Sequence, residues 1–268
     1  MKEFGILAYP AGHSLSPAMH SAAFRELGIE ATYDFFEIPP EELESFFQNE
    51  VRTGKIDGLS VSIPHKVEVI KFLDEVTDAA KKIGAINTVY WQDEKLMGDN
   101  TDWLGFLNSF EDPIETKKVV VLGGGGAARA IVFALLEQNC EVTVITREAW
   151  EYEGIQKDFA VATDLITNLD QHNPNILINA TPLGMQGKFA GQSFVDPKFF
   201  DNHKPLVFDI VYNPRETKLL SDAKKSGCKT IEGLQMLVNQ AVYQFEKFTG
   251  KPVTFETMWE AAVAELNG

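Results

Sequence analysis

The stretch Val119–Arg129 reads Val-Val-Val-Leu-Gly-Gly-Gly-Gly-Ala-Ala-Arg, and it decides the fold class. An apolar strand runs into successive glycines, and an apolar helix is predicted directly after them. Gly123, Gly125 and Ala128 fit the Gly-x-Gly-x-x-Gly/Ala spacing of a dinucleotide-binding loop. Such glycines let the backbone approach a pyrophosphate, and the helix end supplies free N–H groups. A purely structural turn is the weaker interpretation, because a run of glycines is conformationally costly.

Short β-rich apolar runs alternate with amphipathic helical stretches on both sides of this loop, which predicts a parallel α/β architecture. The predicted strands are Phe4–Tyr9, Thr32–Ile38, Asp57–Ile63, Val119–Leu122, Glu141–Thr146, Ile176–Asn179 and Val207–Val211. The predicted helices are Pro17–Leu27, Glu41–Val51, a stretch from about His65, Ala127–Gln138, Leu234–Phe248 and Glu256–Leu266. The segments Ala85–Trp91 and Lys95–Met97 are predicted to pair as a hairpin.

The bulk composition narrows the classes of protein that fit. The chain has 268 residues, 44% hydrophobic and 24% charged, as expected for one large or two smaller globular domains. Its net charge of −15 argues against a nucleic-acid partner, because such a chain repels phosphate backbones. No apolar run approaches the roughly 20 residues that cross a bilayer, and the N-terminus lacks the pattern of a signal peptide. A cytoplasmic location with no membrane partner is expected, while monomer and homodimer both remain open.

The two cysteines, Cys140 and Cys228, lie in or beside apolar stretches. Neither stands in a Cys-x-x-Cys or His-rich setting, which argues against a disulfide framework and against structural zinc. We therefore expect buried free thiols and no metal site.

The strand that follows the glycine loop ends in Arg147. An acid at this place would bind the ribose 2′-hydroxyl of NAD, whereas an arginine suits the 2′-phosphate of NADP. Glu148, Glu151 and Glu153 follow closely and would oppose a phosphate. The sequence favours NADP and leaves NAD open.

Polar side chains gather where predicted strands end. The segments are HSLSP at His13–Pro17, SVSIPHK at Ser60–Lys66, GAINT at Gly84–Thr88 and GDNTD at Gly98–Asp102, and Gly233–Gln240 opens the C-terminal helix. Loops at the carboxyl ends of strands line the ligand crevice of α/β sheets. These segments are therefore candidates for a ligand site.

Together with GGGGAAR at Gly123–Arg129, INATPLGM at Ile178–Met185 and DIVYNP at Asp209–Pro214, these ordered segments resemble the shikimate dehydrogenase family from His13 to Ala241. The resemblance implies an N-terminal α/β substrate domain plus a Rossmann-like dinucleotide-binding domain, with a cleft between them. The substrate domain would comprise residues 1–101 and C-terminal helices 236–268, and the cofactor domain residues 102–235. The implied reaction is the reversible, NADPH-dependent reduction of 3-dehydroshikimate to shikimate, a step in aromatic amino acid and chorismate biosynthesis.

The same resemblance implies roles for single residues. Lys66 and Asp102 match the family's catalytic pair. The matching substrate-binding residues are Ser14 and Ser16 at the carboxylate, Ser62, Asn87 and Gln240 at the ring hydroxyls, and Tyr212 near the carboxylate. The matching cofactor-binding residues are Gly123, Gly124, Gly125, Gly126, Ala127, Ala128, Thr146, Arg147, Asn179, Ala180, Thr181, Met185, Val211 and Gly233. A helix N-cap is an alternative role for Ser16, and His13 and His65 are interpreted as structural.

The residue types suit the chemistry that the resemblance implies. When a hydride leaves a carbinol carbon, the hydroxyl proton must go elsewhere. A lysine beside a carboxylate can transfer that proton and stabilise the developing alkoxide charge. Lys66 and Asp102 would do this without a metal ion.

Some positions depart from the family pattern. Ser60 and Ser62 stand where the family usually has Asn and Thr, and Ala8-Tyr9 replaces its Gly-Asn. Thr146-Arg147-Glu148 replaces Asn-Arg-Thr, and Glu151 occupies a basic position. These changes leave the catalytic pair intact and bear on cofactor preference and on the size of the substrate pocket.

Two alternatives stay open at this point. One is a quinate/shikimate dehydrogenase of broader substrate use, because Ser62 leaves a roomier substrate pocket. Such an enzyme could use NAD as its cofactor. The other is a non-catalytic dinucleotide-binding protein. Retention of Lys66, Asp102, Asn87 and both serines of HSLSP argues against the second, because a relative without catalytic function would be expected to lose at least one of them.

Overall fold

The computed structural model of the chain describes residues 1–12 and 14–268, so His13 lies outside the described residues. The chain divides into two compact units. One comprises Met1–Gly105 with Val238–Gly268, and the other comprises Phe106–Leu237. None of the described helices combines the length and the apolar character needed to span a membrane.

The secondary structure alternates between strands and helices in both units. Within the described residues the strands are β1 (Lys2–Ala8), β2 (Ala31–Glu37), β3 (Gly58–Val61), β4 (Glu75–Val76), β5 (Thr88–Gln92), β6 (Lys95–Asp99), β7 (Lys118–Leu122), β8 (Glu141–Thr146), β9 (Ala162–Leu165), β10 (Ile176–Asn179), β11 (Leu206–Asp209) and β12 (Thr230–Ile231). The α-helices are α1 (Ser16–Glu26), α2 (Leu43–Phe46), α3 (Asp78–Ile83), α4 (Asp102–Leu107), α5 (Gly126–Glu137), α6 (Glu153–Phe159), α7 (Pro197–His203), α8 (Lys218–Lys225), α9 (Gly233–Thr249) and α10 (Phe255–Asn267). This arrangement confirms the predicted α/β class.

The sheet of the first unit has the strand order β2-β1-β3-β5-β6-β4. β1 pairs in parallel with β2 and β3, whereas β5 runs antiparallel to both β3 and β6. The predicted hairpin is confirmed, and it makes this sheet mixed rather than wholly parallel. As a consequence, the carboxyl ends of β1, β3 and β6 and the start of β5 meet at one edge of the sheet.

Aromatic side chains hold the C-terminal part of α9 within the first unit. The Phe248 ring lies 5.2 Å from that of Phe4 on β1, and the Phe245 ring lies 5.2 Å from that of Phe24 on α1. Burial of each such ring contributes about 1.5–3 kcal/mol. This packing fixes the α9 face that carries Gln240 and Gln244.

Two predicted helices of the first unit were wrong in form. Glu41–Val51 is not a continuous α-helix, because a 3₁₀ turn at Pro40–Glu42 and a π turn at Phe47–Val51 flank the short α2. The stretch from His65 contains only a 3₁₀ turn at Glu68–Phe72. Its backbone is engaged elsewhere, since the Lys66 carbonyl accepts a 2.7 Å hydrogen bond from Ile86 N–H.

The sheet of the second unit is parallel throughout, in the order β12-β11-β10-β7-β8-β9. The order reverses between β7 and β10, which is the switch point where Rossmann-type sheets bind their ligand. The glycine loop begins at the carboxyl end of β7, a strand in which Val119, Val120, Val121 and Leu122 are all buried. The predicted Rossmann-like fold is confirmed. Cys140 and Cys228 are buried free thiols, also as predicted.

Candidate active site

Lys66 and Asp102 form an ion pair at the site edge of the first sheet. Lys66 lies in the turn after β3, and Asp102 begins α4 after β6. Lys66 Nζ is 2.6 Å from Asp102 Oδ2, and the side chains are 18% and 9% exposed. The pair is therefore largely withdrawn from solvent but still reachable, which suits a group that exchanges a proton with a small molecule.

Asn87 fixes the other oxygen of that carboxylate. Its Nδ2 donates to Asp102 Oδ1 at 2.8 Å and to Thr101 Oγ1 at 3.0 Å. Its Oδ1 accepts from Thr101 N at 2.7 Å and from the Thr88 hydroxyl at 2.7 Å. These bonds settle which end of the Asn87 amide faces Asp102. Gln240 Oε1 lies 3.3 Å from the same Nδ2, which brings this predicted residue to the cluster.

A buried polar network lies behind Asn87, and the sequence interpretation missed it. The Tyr33 hydroxyl donates to Ser60 Oγ at 2.5 Å, and Ser60 Oγ donates to Gln244 Oε1 at 2.7 Å. Gln244 Nε2 then donates to the Asn87 backbone carbonyl at 2.8 Å. Gln244 follows Gln240 by one helical turn on α9, and this spacing is the sequence signal that could have identified it.

His20 packs against this network as a neutral aromatic ring. Its ring stacks on that of Tyr33 at a centroid distance of 4.4 Å and an interplanar angle of 3°. Burial lowers the pKa of His20 to about 3, and neither ring nitrogen has a hydrogen-bond partner among the described residues. Burial likewise raises the pKa of the Tyr33 hydroxyl, against hydrogen bonds with Ser60 and Ser16. Both groups are therefore uncharged at neutral pH.

Ser14 and Ser16 lie together at the start of α1. The Ser14 hydroxyl donates to Ser16 Oγ at 3.1 Å and accepts from Ser16 N at 3.2 Å. The alternative role of Ser16 as a helix N-cap was wrong. Leu15 occupies the N-cap and makes no side-chain capping hydrogen bond. The Ser16 side chain is buried, and its hydroxyl oxygen accepts from Ser14.

The turn that carries Lys66 is held from both sides. Ser62 N donates to Leu7 O at 2.9 Å, and His65 N donates to Ser62 O at 2.9 Å. His65 is buried, and its Nε2 lies 2.7 Å from the Ile38 carbonyl. Burial lowers the pKa of His65, although that hydrogen bond opposes the shift. His65 thus anchors the turn, and the Ser62 side chain stays at its partly exposed surface.

The glycine loop of the second unit has the geometry that a pyrophosphate requires. Gly123 adopts φ +105°, and a Cβ at Gly124 would lie 1.9 Å from the Glu151 carbonyl oxygen, so neither position tolerates a side chain. A Cβ at Gly125 would meet nothing within 4 Å. Gly125 is the N-cap of α5 and provides no side-chain cap, while Gly126, Ala127 and Ala128 form the first turn. Open space above an uncapped helix start fits a bound phosphate group.

Arg147 follows β8, after Thr146, and its guanidinium is already paired. Arg147 Nη2 lies 2.5 Å from Glu151 Oε1, in an ion pair whose side chains are 59% and 16% exposed. The Thr146 hydroxyl donates to the Glu148 carbonyl at 2.8 Å. Glu151, which was expected from the sequence to oppose a phosphate, therefore contacts Arg147 directly.

The loops after β10 and β11 are tied to each other by side chains. Asn179 Nδ2 donates to Asp209 Oδ1 at 2.8 Å, and its Oδ1 accepts from the Thr181 hydroxyl at 2.6 Å. Burial raises the pKa of Asp209 to about 6, against hydrogen bonds from Thr217, Val211 N and Asn179. The Asn179 and Thr181 side chains thus shape the loop that presents Ala180.

The remaining residues assigned to the cofactor or substrate lie on these loops. Met185 is 44% exposed, whereas Val211 is buried. Burial raises the pKa of Tyr212, the residue after Val211. A Cβ at Gly233 would lie 2.3 Å from the Ile210 carbonyl oxygen, so the start of α9 approaches the β11 loop as only glycine allows.

Comparison with known proteins assigns the chain to a family. The model described as shikimate dehydrogenase substrate binding domain matches residues 6–89, and that described as shikimate 5′-dehydrogenase C-terminal domain matches residues 233–263. An NAD(P)-binding model matches residues 113–192. A protein from Pelobacter propionicus, named shikimate dehydrogenase (NADP(+)), is 42% identical over 252 residues, which is 92% of this chain and 91% of that protein. The chain belongs to the shikimate dehydrogenase family.

Solved members of the shikimate dehydrogenase family share the fold over nearly the whole chain. A shikimate dehydrogenase crystallised in complex with NADP⁺ matches with a TM-score of 0.93 at 35% identity, covering 99% of this chain and 96% of that one. The enzyme from Thermus thermophilus, in complex with NADP(H) and shikimate, matches with a TM-score of 0.89 at 34% identity, covering 98% and 99%.

Within the shikimate dehydrogenase family pattern, two departures of this chain have visible structural consequences. Ser60 directs its hydroxyl to Gln244 and accepts from Tyr33. Glu151, at a position that is basic in the family pattern, binds Arg147. The first departure lies in the buried network and the second at the end of β8.

Proposed function

We propose that this chain is an NADP-dependent shikimate dehydrogenase, an oxidoreductase that reversibly reduces 3-dehydroshikimate to shikimate. The observation that carries the proposal is the Lys66–Asp102 pair, with Nζ and Oδ2 2.6 Å apart and Asn87 bonded to the second carboxylate oxygen. The relative named shikimate dehydrogenase (NADP(+)) and the solved structure with NADP(H) and shikimate support the choice of substrate and cofactor.

Lys66 moves the proton in this reaction. The nicotinamide, when bound, supplies the hydride for reduction and accepts it for oxidation. In reduction, Lys66 Nζ donates a proton to the substrate carbonyl oxygen, which becomes the hydroxyl; in oxidation, it removes that proton. Proton transfer by a positioned group contributes about 10²–10⁴-fold in rate. Asp102 orients the Lys66 ammonium, and Asn87 holds the Asp102 carboxylate in place.

The substrate would be bound by hydroxyl and amide groups of the first sheet edge. Ser14 and Ser16 would bind the substrate carboxylate, because adjacent hydroxyls can both donate to one anion. The partly exposed Ser62 side chain, Asn87 and Gln240 would contact the ring hydroxyls, and Tyr212 would lie near the carboxylate. Residues 1–101 with 236–268 would accordingly form the substrate domain, and residues 102–235 the cofactor domain.

The cofactor would be held by backbone and side-chain groups of the second unit. The uncapped N–H groups at Gly125 and Gly126 would bind the pyrophosphate, and Arg147 would bind the 2′-phosphate that distinguishes NADP from NAD. The loop at Asn179–Thr181, with Met185, Val211 and Gly233, would support the nicotinamide.

One comparison of substrates and cofactors tests this proposal. The absorbance of reduced cofactor is followed with shikimate or quinate, each in the presence of NADP⁺ or NAD⁺. We expect the highest kcat/KM with shikimate and NADP⁺. Faster turnover of quinate would favour the broader quinate/shikimate enzyme, and no turnover with any pair would favour a non-catalytic dinucleotide-binding protein.

A further inference from the structure

The Glu151 carboxylate sits on a cluster of donors at the end of β8. Its Oε1 accepts from Arg147 Nη2 at 2.5 Å, and its Oε2 accepts from Arg147 N at 3.0 Å. Glu148 N lies at 3.5 Å from the same Oε2. One guanidinium and two successive backbone N–H groups therefore converge on a single anion.

Such a set of donors is suited to a phosphate as well as to a carboxylate. Charge-assisted bonds from arginine and successive backbone N–H groups are the usual means of binding either anion. In the proposed cofactors, only NADP carries an anion for Arg147, because NAD has a neutral hydroxyl at the ribose 2′ position.

We propose that Glu151 is a specificity-determining residue that occupies the 2′-phosphate donors of its own chain. NADP then binds Arg147 only when the Glu151 side chain leaves, whereas NAD binds without displacing it. That the nucleotides are NADP and NAD rests on the proposed function. That Glu151 occupies the donors at Arg147 rests on the contacts of Glu151 itself. As a consequence, the affinity for NADP exceeds that for NAD by a smaller factor than Arg147 alone would give.

The Glu151 backbone packs against Gly124, and its side chain closes a capping box with Glu148. Glu151 ends the 3₁₀ turn at Ala149–Glu151, and its carbonyl lies against Gly124, where even a methyl group would clash. Arg147 has a second support, since its guanidinium lies 5.8 Å from the centroid of the Phe194 ring. Loss of the carboxylate would remove its half of the capping box and leave the Arg147 guanidinium supported by Phe194, in position for a phosphate.

The charge of Glu151 persists at neutral pH. Desolvation acts to raise the pKa of this carboxyl, but the hydrogen bonds from Arg147 and Glu148 outweigh it, so the pKa is lowered. At neutral pH the Glu151 side chain is thus a carboxylate anion that competes with the 2′-phosphate for Arg147.

If Glu151 occupies the donors at Arg147, its effect on NADP binding differs from that of general repulsion between acidic residues and the 2′-phosphate. Glu153 is exposed and two residues away from Glu151, so general repulsion would make its charge weaken phosphate binding as well. Occupancy confines the effect to Glu151.

Binding calorimetry of the full chain with NADP⁺ and with NAD⁺, without substrate, tests the proposal. The variants are Glu151→Gln and Glu151→Ala, with Glu153→Gln as the matched control. We expect both Glu151 variants to bind NADP⁺ about three- to fivefold more tightly than wild type, the effect of losing a well-formed surface ion pair. We expect NAD⁺ binding by every variant, and NADP⁺ binding by Glu153→Gln, to change less than about twofold.

Equal tightening of NADP⁺ binding by Glu151→Gln and Glu153→Gln would overturn the proposal in favour of repulsion. Unchanged NADP⁺ affinity in both Glu151 variants would overturn it as well. Because the readout is binding, the expected pattern would support the proposal even if shikimate were not oxidised, and that failure would count only against the proposed function. Absence of binding to either nucleotide would overturn both.

Discussion

Asn87 Nδ2 donates a 2.8 Å hydrogen bond to Oδ1 of Asp102 and leaves Oδ2 to Lys66. The carboxylate is thus held at both oxygens, and the ammonium group of Lys66 has one defined partner. Asn87 is in turn held from behind, because its backbone carbonyl accepts from Gln244. The geometry of the proposed catalytic pair therefore depends on a buried polar network that begins at Tyr33.

Gln244→Leu tests whether this network stabilises the first unit. The change would remove the acceptor of the Ser60 hydroxyl proton and one of the two donors to the Asn87 carbonyl, which keeps the Val61 N–H. An unsatisfied buried group costs about 1–3 kcal/mol. Urea unfolding should show a lower free energy of unfolding. Gln48→Leu is the control, because the Gln48 side chain bonds to Glu44 at the exposed surface. Equal stabilities of the two variants would contradict the network.

His20→Phe should make the protein more resistant to acid. The folded pKa of His20, about 3, lies below the ordinary histidine value of 6.5. The unfolded chain therefore binds more protons between these values, and stability is lost as the pH falls through that window, by at most about 1.4 kcal/mol per pH unit. Phenylalanine keeps the stacking on Tyr33 and removes the titration. Urea unfolding at a series of pH values should give a flatter curve for the variant; parallel curves would contradict the burial of a neutral imidazole.

Ser14→Ala and Ser16→Ala should each weaken shikimate binding. A hydrogen bond to a charged group contributes about 1.5–3 kcal/mol, so KM and the calorimetric Kd should both rise. Ser21→Ala, on the same helix, is a control outside the proposed site. If both variants bind shikimate as wild type does, the substrate carboxylate lies elsewhere.

Arg147→Ala should damage the use of NADP far more than that of NAD, because only NADP offers a phosphate to the guanidinium. In the opposite direction, Glu151→Arg should raise kcat/KM for NADP and leave that for NAD nearly unchanged. Steady-state kinetics with both cofactors would measure each effect. Equal losses with the two cofactors in Arg147→Ala, together with a wild-type preference for NAD, would show that Arg147 does not bind a 2′-phosphate.

The sequence predicted best what is encoded locally. The strand β7, its glycine loop and helix α5 are adjacent in the chain, so apolar patterning and the glycines were enough to predict a parallel α/β architecture with a dinucleotide-binding loop. Helical patterning failed for the stretch after His65, because the Lys66 carbonyl bonds to Ile86, a partner that no local pattern reveals.

Some residues of the candidate site could likewise be predicted from the sequence, and others could not. Family motifs pointed to Lys66, Asp102, Asn87 and Gln240 as residues of one site. They did not reveal the Tyr33–Ser60–Gln244 network, because Ser60 and Gln244 are 184 residues apart. Nor did they show that Glu151 binds Arg147, since a charge near a phosphate site does not specify which donors it occupies.

The turnover of Lys66→Ala with shikimate and NADP⁺ tests most directly whether Lys66 moves the proton. Lys71→Ala is the matched control, because Lys71 is a nearby lysine in an exposed pair with Glu68. We predict that Lys66→Ala lowers kcat by about 100-fold or more with little change in KM, since proton transfer matters mainly in the transition state. Lys71→Ala should keep wild-type kinetics. Retention of more than about a tenth of wild-type kcat by Lys66→Ala would contradict the assignment of Lys66 as the group that moves the proton.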